Sequence, residues 1–600
     1  MTPTHAAADP HAGVPQLTVR AIVAGMLLGG LMSLSNLYVA LKTGWSLGVS
    51  ITASILAFAI FSALFKLRIV RRAFGMMENN IMKSTASAAG YMTGGGTVAA
   101  IPAFMMITGT TMDPWQMFFW IASIAMMGLV MAIPMKQQMI NLEGLRFPTG
   151  IATAETLKAL YGEGGSGGEG KAKLLGWASV AGGVVAFLRD VRAPWKADWL
   201  NLPEKIKIPV LTLAGRPLAD FTLSFEGSLI MLGAGAIMGF RAAWSMLLGA
   251  FINFGILAPM LYTRGIIDPK LGYKHIVAWS VWFGSAIMLT SGLLSFAFQW
   301  ESVLRAVKSV GASLLGRHEA QKEGEVPEVP MLWFIVGMAV LSPIVVYLEW
   351  FIFGIKVWMG AISILLSFFI AIVACRVTGE TDTTPTGALG KITQITFGAL
   401  DPGNAVTNLM TANVTGGIGL HSADLLTDLK SGWILKADAR KQFWAQFFGV
   451  VAGSCFVVPA YRLLIPNAEA LGSEQWPAPG AQTWKGVAEL LAKGFHTLHP
   501  TAQWALVVGG VLGIVLVLLE KAFPKARPYI PSAAGLGLAF TTPANNTIAM
   551  FLGALVAWRM EKRDPKTADD LVVPISSGFI AGESLVGVLI AALIVFGVLR

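Results

Sequence analysis

The stretch VPMLWFIVGMAVLSPIVVYLEWFIF, residues 329–353, decides what kind of fold this chain can adopt. Its only charged residue is Glu349. A helix crosses the hydrocarbon core of a bilayer with about 20 consecutive apolar residues, and this stretch is longer than that. The sequence therefore predicts a membrane-spanning helix over residues 329–353.

Comparable stretches recur along all 600 residues. Hydrophobic residues make up 55% of the chain and charged residues 13%, whereas soluble domains carry about 25% charged residues. We therefore predict an all-α integral membrane protein for which the bilayer is the solvent. The other predicted spans are residues 17–41, 45–66, 115–134, 172–189, 221–240, 242–263, 275–298, 356–377, 443–464, 502–520 and 575–599.

Four further stretches are apolar but are interrupted by Gly, Pro, Asn and Thr. Backbone that leaves a helix at membrane depth persists only where protein buries it or where it lines a wet cavity. Transporters bind their cargo at such discontinuous helices. Counting each stretch as one or two passes brings the expected total to about sixteen helices. The interrupted stretches are residues 75–110, 135–160, 384–420 and 529–558.

An internal repeat divides the chain. Residues 153–160 align with residues 422–429, which sets Glu155 against Asp424. A duplicated membrane domain with interrupted helices favours a transporter over a channel or an enzyme. The predicted organisation is a polar N-terminal tail at 1–16, a first repeat at 17–299, a polar linker at 300–328 and a second repeat at 329–600.

The net charge of +10 comes from Lys and Arg residues in short clusters between apolar stretches, such as Lys66, Arg68, Arg71 and Arg72. Clusters of this kind mark cytoplasmic loops. They are not interleaved with aromatic residues as in a nucleic-acid-binding face, so we expect no nucleic-acid partner. We expect a multi-pass protein of a cell membrane, and more narrowly of a bacterial inner membrane, with its N-terminus in the cytoplasm.

Acidic residues inside apolar stretches are the strongest candidates for function. An ionised carboxylate is costly in hydrocarbon, so it usually faces a cavity, a cation or a proton path. Asp424 and Asp428 are four residues apart and share a helix face, so together they could hold and release a proton. The residues predicted to couple transport to protons are Glu78, Glu155, Glu226, Asp424, Asp428 and Glu583.

Two plainer interpretations stay open for these acids. Asp428 and Lys430 could mark the water end of a helix. Glu155 follows Pro148, Thr149 and Gly150, and a helix N-terminus there would favour a negative charge through its macrodipole.

Polar side chains in and around the interrupted stretches are candidates for cargo contacts, because unpaired amides are costly in apolar surroundings. Residues 380–385 place two acids and three hydroxyls directly after a span. They could coordinate a cation-bearing ligand, or they could form an exposed loop with a helix cap. The amides predicted to bind substrate are Asn36, Asn79, Asn80, Asn404 and Asn545, and the loop contributes Thr381 and Asp382.

Several of these segments resemble those of one known family. The run SNLYVALKTGW, residues 35–45, is similar to the first signature of the oligopeptide transporter family, which includes peptide carriers and the Yellow Stripe-like metal-chelate carriers. The resemblance covers the chain from about residue 20 to its end, and it adds Tyr38 and Gln394 to the predicted substrate-binding residues. Further similar segments lie, in order, at 78–82, 145–150, 379–394, 424–432 and 582–584.

The resemblance implies a secondary carrier of about sixteen helices that couples the uptake of short peptides or peptide-like metal chelates to protons. The short loops are similar to those of prokaryotic members. A channel-like solute pore and an intramembrane hydrolase are the alternatives. With 7 His in all and no His-Glu-x-x-His motif, no catalytic residue, cofactor or metal site is predicted. The expected partners are a small-molecule substrate, protons and the lipid bilayer, and the oligomeric state is left open.

Overall fold

The computed structural model describes most of the chain as helix. The described residues are 14–44, 48–94, 96–161, 166–191, 200–206, 211–268, 270–298, 328–381, 384, 386–494, 496 and 498–595. The tail at 1–13 and most of the predicted linker, 299–327, lie outside these ranges.

Eleven helices precede the linker among the described residues. They are α1 (Val19–Thr43), α2 (Ser50–Lys66), α3 (Met76–Gly90), α4 (Ala100–Thr108), α5 (Pro114–Lys136), α6 (Pro148–Tyr161), α7 (Ser166–Asp190), α8 (Leu229–Met238), α9 (Phe240–Ala250), α10 (Ala258–Thr263) and α11 (Tyr273–Ala297).

Ten described helices follow the linker. They are α12 (Met331–Phe353), α13 (Val357–Thr381), α14 (Thr386–Leu400), α15 (Ala405–Leu435), α16 (Ala439–Leu464), α17 (Pro479–Lys493), α18 (Pro500–Ala522), α19 (Ala533–Leu538), α20 (Ala544–Arg563) and α21 (Pro565–Val595).

Two short antiparallel strand pairs lie between α7 and α8. Strand β1 (Lys205–Ile206) pairs with β4 (Phe225–Glu226), with Lys205 opposite Glu226. Strand β2 (Thr212–Leu213) pairs with β3 (Arg216–Pro217), with Leu213 opposite Arg216. The chain is otherwise helical where it is described, so the predicted all-α membrane fold is confirmed.

Nine helices of the described residues are long and apolar enough to cross a membrane, and they match nine of the twelve predicted spans. Of the other three predicted spans, the one at residues 45–66 corresponds to the shorter helix α2, which begins at Ser50. The span at 172–189 lies inside α7, which carries the charges of Lys171, Lys173 and Arg189.

The predicted span at 221–240 is wrong. Residues 221–228 form turns and strand β4, and only the ten-residue helix α8 follows. The reason is that Thr222 adopts a left-handed conformation with φ of 60°, and its groups bind the start of α20. Its Oγ1 accepts a hydrogen bond from the Ala544 N–H at 3.0 Å and its carbonyl O accepts one from the Asn545 N–H at 3.0 Å.

The four interrupted stretches do break the helices. A 3-10 turn at Tyr91–Thr93 and a non-helical segment separate α3 from α4. A π-helical segment, Gln137–Leu142, follows α5. Gly403, with φ of +89°, lies between α14 and α15. The stretch before α20 consists of 3-10 turns around α19.

Helices of the two predicted repeats interlock. α3 packs against α15 and α16, α5 packs against α12, and α21 lies along α7 and α1. Small residues allow the closest approaches, since a Cβ added to Gly449 would lie 2.2 Å from the Thr85 carbonyl O. The duplication itself stays a prediction. The consequence for function is that polar residues of α3 meet polar residues of α15 and α16.

Candidate functional site

A buried ion pair joins α3 to α15. The Lys83 Nζ lies 2.6 Å from the Asp428 Oδ1, and the two side chains are 0% and 1% exposed. Lys83 also donates a hydrogen bond to the Ser431 Oγ at 2.5 Å. A charge this deeply buried requires a partner, so each residue depends on the other for its place.

The Asp428 carboxylate is hydrogen-bonded on both oxygens. Besides Lys83, the Oδ1 lies 3.3 Å from the Ser50 Oγ. The Oδ2 accepts a hydrogen bond from the Gln446 Nε2 at 2.8 Å. α15 continues to Leu435, so Asp428 does not mark the end of a helix, and that plainer interpretation is wrong.

Asp424 lies one turn earlier on the same face of α15 and has fewer partners. Its Oδ1 accepts a hydrogen bond from the Ser87 Oγ at 3.0 Å. The Ser87 Oγ lies 3.1 Å from the Ser50 Oγ, which links the two carboxylates. The Asp424 Oδ2 is buried and has no hydrogen-bond partner among the described residues. We call Lys83, Asp424 and Asp428 with these serines the charge cluster.

A cavity of about 390 Å³, lined by both charged and apolar side chains, lies next to the charge cluster. Its lining includes Lys136, Glu328, Leu429, Trp433 and Gln442. Gln442 is also part of the wall towards Asp428, because its Nε2 donates to the Asp428 carbonyl O at 2.9 Å and to the Ser84 Oγ at 3.1 Å. Gln442 therefore contacts both the cavity and the backbone beside the buried acids.

Gly432 leaves the space that the Gln442 amide occupies. A Cβ added at Gly432 would lie 1.8 Å from the Gln442 Oε1. Gly432→Ala is expected to displace this amide and lower the free energy of unfolding by about 1–3 kcal/mol, because two hydrogen bonds are lost. Thermal unfolding of the purified protein measures the change.

A double-mutant cycle isolates that contact. If Gly432 acts through Gln442, the Gly432→Ala and Gln442→Ala effects are not additive. Gly416→Ala is the matched control on the same helix, since its added Cβ meets the Trp484 ring at an ordinary 3.6 Å. Equal unfolding temperatures for the Gly432→Ala and Gly416→Ala proteins would contradict this account of Gln442.

Glu583 and Glu78 lie in ion pairs away from the charge cluster. The Glu583 Oε1 is 2.5 Å from the Arg189 Nη1, and its Oε2 accepts the Ile230 N–H at 3.0 Å, so it joins α7, α21 and the start of α8. Glu78 pairs with Arg20 and accepts a hydrogen bond from the Gly75 N–H at 3.2 Å. Both carboxylates hold helices together through contacts at their oxygens.

Glu155 is exposed on α6. Its side chain is 60% exposed and lies 2.9 Å from the Lys158 Nζ. The alignment with Asp424 therefore does not extend to the surroundings of the two side chains. Because exposed ion pairs contribute about 0–1 kcal/mol, Glu155→Gln is expected to leave both unfolding temperature and uptake within error of the unmodified protein. A loss of uptake in that variant would restore Glu155 as a coupling residue.

Three predicted residues meet near the end of α1. The Asn545 Nδ2 donates to the Glu226 Oε2 at 2.5 Å. The Tyr38 ring packs edge-on against the Trp476 ring, with centroids 5.1 Å apart, and the Lys42 Nζ lies 5.5 Å from the Tyr38 centroid. Lys205, opposite Glu226 in the β1–β4 pair, forms an ion pair with Glu474 at 2.5 Å, two residues before Trp476, so these residues form a second polar group.

The remaining predicted residues bind other helices. Asn36 donates to the Gly90 carbonyl O at 3.2 Å, and Asn79 donates to the Ser54 carbonyl O at 3.0 Å. Asn80 accepts a hydrogen bond from Ser431, at the edge of the charge cluster. Gln394 donates to the Trp484 carbonyl O, and Asn404 caps α15. The side chain of Thr381 and all of Asp382 lie outside the described residues.

Two lysines were missed by the sequence reasoning. Lys83 is the one charged residue between Glu78 and Asp113, and Lys42 is the one between Arg20 and Lys66. The burial argument that selected the acids applies equally to cations. Applied to Lys and Arg as well, it would have selected both residues.

Comparisons with known proteins cover nearly the whole chain. A family model described as OPT oligopeptide transporter protein matches residues 16–594. A Saccharomyces cerevisiae protein provisionally named an oligopeptide transporter is 26% identical, over 97% of this chain and 96% of its own. Iron-phytosiderophore transporter yellow stripe 1 of Zea mays is 25% identical, over 95% of this chain and 89% of its own. A metal-nicotianamine transporter of Arabidopsis thaliana is 25% identical, over 95% of this chain and 92% of its own.

Proposed function

The chain belongs to the OPT oligopeptide transporter protein family, and from this premise we propose that it is a secondary transporter that takes up short peptides or peptide-like metal chelates together with protons. The family, predicted from segments such as residues 35–45, is confirmed, and its members are transporters rather than enzymes. The relatives are named for oligopeptides, iron-phytosiderophores and metal-nicotianamine. Proton coupling and the cargo are the proposed parts.

The observation that carries the proposal is the position of Asp424. Of the six predicted acids, four form direct ion pairs, with Arg20, Lys83, Lys158 and Arg189. Asp424 has a serine as its hydrogen-bond partner and a buried oxygen without one among the described residues. A carboxyl group in such a place can exist in its neutral form at low cost, as a proton carrier requires.

The charge balance of the cluster links the proton to the protein. With Asp424 protonated, the cluster holds the Lys83 ammonium and the Asp428 carboxylate and is neutral. Loss of the proton leaves two carboxylates facing one ammonium. Repulsion between like charges is strong where water is excluded, so the deprotonated state favours a different packing of α3 against α15. That link between protonation and helix packing is what a symporter needs.

The cavity next to Gln442 supplies the exit for the proton. A carboxyl group exchanges its proton only with water or a hydrogen-bonded side chain within reach. The cavity brings polar side chains and space for water to the other side of Gln442. Displacement of this one side chain would connect the charge cluster to that end of the molecule.

We assign the cavity to the cytoplasmic face of a cell membrane. The Asp438 N–H, between the cavity-lining residues Ala437 and Ala439, donates a hydrogen bond to the Gln16 Oε1 at 3.0 Å, so the cavity lies at the end of the molecule where α1 begins. Arg20, at the start of α1, donates hydrogen bonds to the carbonyl oxygens of Arg72 and Ala73, so the basic cluster ending at Arg72 lies at that end of α1. Basic loops face the cytoplasm, which supports a cytoplasmic N-terminus. Labelling of a single introduced cysteine at Arg72 with a membrane-impermeant reagent on intact cells tests this, and labelling from outside would reverse the assignment.

Uptake into proteoliposomes tests the function. A labelled pool of short peptides and a labelled iron chelate are offered separately, with and without an inward proton gradient. We expect accumulation of one of them only with the gradient. Conductance that does not depend on a proton gradient would support the channel-like alternative, and equal uptake with and without the gradient would contradict proton coupling.

A further inference from the structure

Lys42 is a buried lysine whose ammonium group has no counterion in contact among the described residues. The residue is 8% exposed and lies in the last turn of α1, one residue before its end. Its Nζ is 5.5 Å from the Tyr38 ring centroid and 5.9 Å from the Trp476 ring centroid. No carboxylate or hydrogen-bond acceptor of the described residues lies within bonding distance of it.

Two aromatic rings do not replace the missing acceptors. A lysine ammonium has three donors, and a buried charge is costly without oxygen partners. Cation–π contacts attract the ammonium group, but neither ring accepts a full hydrogen bond. The rings therefore position the ammonium without satisfying it.

Glu226 provides an opposite charge nearby but not in contact. Lys205, which lies opposite Glu226 in the β1–β4 pair, forms an ion pair with Glu474 at 2.5 Å, two residues before the Trp476 that lies beside Lys42. Among the described residues, Lys42 and Glu226 form no ion pair with each other. Glu226 is half-buried and accepts a hydrogen bond from Asn545. The Asn545 Oδ1 is buried and has no hydrogen-bond partner among the described residues. One cationic and one anionic group are thus held apart.

The surrounding backbone keeps the two charges in place. Strand β4 holds Glu226 against Lys205 of β1. The Ala478 N–H donates to the Leu41 carbonyl O at 2.8 Å, which ties the segment of Trp476 to α1. The Tyr38 ring lies against Gly587, where an added Cβ would come within 2.9 Å. The backbone segments that carry Lys42, Glu226 and Trp476 are therefore fixed by contacts between secondary-structure elements.

We infer that Lys42 binds a carboxylate of the cargo and that Glu226, with the Asn545 carbonyl, binds an ammonium group of the same molecule. The site then selects zwitterionic cargo by both of its charges. Each group of the cargo supplies the partner that the protein withholds, so binding removes the cost of the two separated charges. This inference rests on the proposed function, because it takes the transported molecule to be a peptide or a chelate with both groups.

Ligand binding to the purified protein without a gradient tests the inference separately from coupling. The probes are trialanine, its C-terminal amide, its N-acetyl form and iron(II)–nicotianamine, each measured by the shift in unfolding temperature and by displacement of labelled trialanine or labelled nicotianamine. We expect the unmodified protein to prefer an unblocked probe over its blocked forms by tenfold or more.

The variants assign each preference to one residue. Lys42→Met is expected to abolish the preference for trialanine over its C-terminal amide. Glu226→Gln is expected to abolish the preference for trialanine over its N-acetyl form. Both are expected to weaken iron(II)–nicotianamine tenfold or more. Lys430→Met is the matched control, since Lys430 is also buried and lies 4.7 Å from the Trp433 centroid, and it is expected to keep every preference.

A purely structural role for Lys42 predicts a different result. Loss of stability in the Lys42→Met protein with the preference for a free carboxylate intact would overturn the inference, as would an unmodified protein that binds none of the probes. If the Lys42→Met protein folds poorly, Lys42→Arg takes its place in the test. This variant keeps the charge and should retain part of the preference for a free carboxylate. Failure of the proposed function can be told apart from failure of this inference, because it would be seen in the uptake experiment, as uptake that a proton gradient does not increase.

Discussion

Asp424→Asn is expected to abolish the part of cargo uptake that an inward proton gradient drives, while exchange of cargo at equal pH continues. The amide has nearly the shape of the carboxyl group, and its oxygen can still accept the hydrogen bond from Ser87. It cannot release a proton, so the cluster stays in the charge state in which Lys83 and Asp428 balance each other. A carrier locked in that state can still exchange cargo.

The measurement compares two rates in the same proteoliposomes. Gradient-driven accumulation of a labelled cargo should fall to the level without a gradient, and exchange of internal for external cargo should keep its rate. Glu155→Gln, an acid-to-amide change on the exposed side of α6, is the control and should accumulate cargo normally. Continued accumulation by the Asp424→Asn protein would place coupling at another group, with Glu226 as the other predicted acid without an ion pair.

Lys83→Met is expected to cause the largest loss of stability. It leaves the Asp428 carboxylate buried between α3, α15 and α16 with two hydrogen bonds and no cation. Removing one partner of a buried pair costs about 3–5 kcal/mol, because the other charge stays uncompensated. Denaturant or thermal unfolding of the protein in detergent measures the loss, and we expect a lower yield of folded protein as well.

A second substitution separates the lost charge balance from lost packing. Lys83→Met with Asp428→Asn removes both charges, so this protein should recover a large part of the lost stability. Lys158→Met, in an exposed pair with Glu155, should change the free energy of unfolding by less than about 1 kcal/mol. If the double variant is less stable than Lys83→Met alone, the pair is not held together by charge.

The membrane fold could be predicted from the sequence because its causes are local. A span such as 329–353 must bury its own backbone groups in a helix whatever surrounds it, and α12 begins and ends within two residues of the prediction. The prediction was wrong at 221–240, where the hydroxyl and carbonyl of Thr222 bind the start of α20, some 322 residues later in the chain. Hydropathy contains no information about such a partner.

The candidate site shows the same division. The spacing of Asp424 and Asp428 placed both on one helix face, and their position among apolar residues indicated a function. Lys83 is 345 residues away from Asp428 in the chain, and nothing local joins them. Glu155 and Asp424 occupy aligned positions, yet one is exposed and the other faces Ser87, because α6 and α15 pack against different neighbours.

The sequence by itself determined that this is an α-helical membrane transporter of the OPT family, since hydropathy, helix period and family segments are properties of neighbouring residues. Only the tertiary structure decided which charges meet. It pairs Asp428 with Lys83, and among the described residues it leaves Asp424 without a cation in contact and Lys42 and Glu226 without an ion pair to each other. The physical reason is that the energy of a buried charge depends on the distance to its partner across helices, and helix packing alone sets that distance.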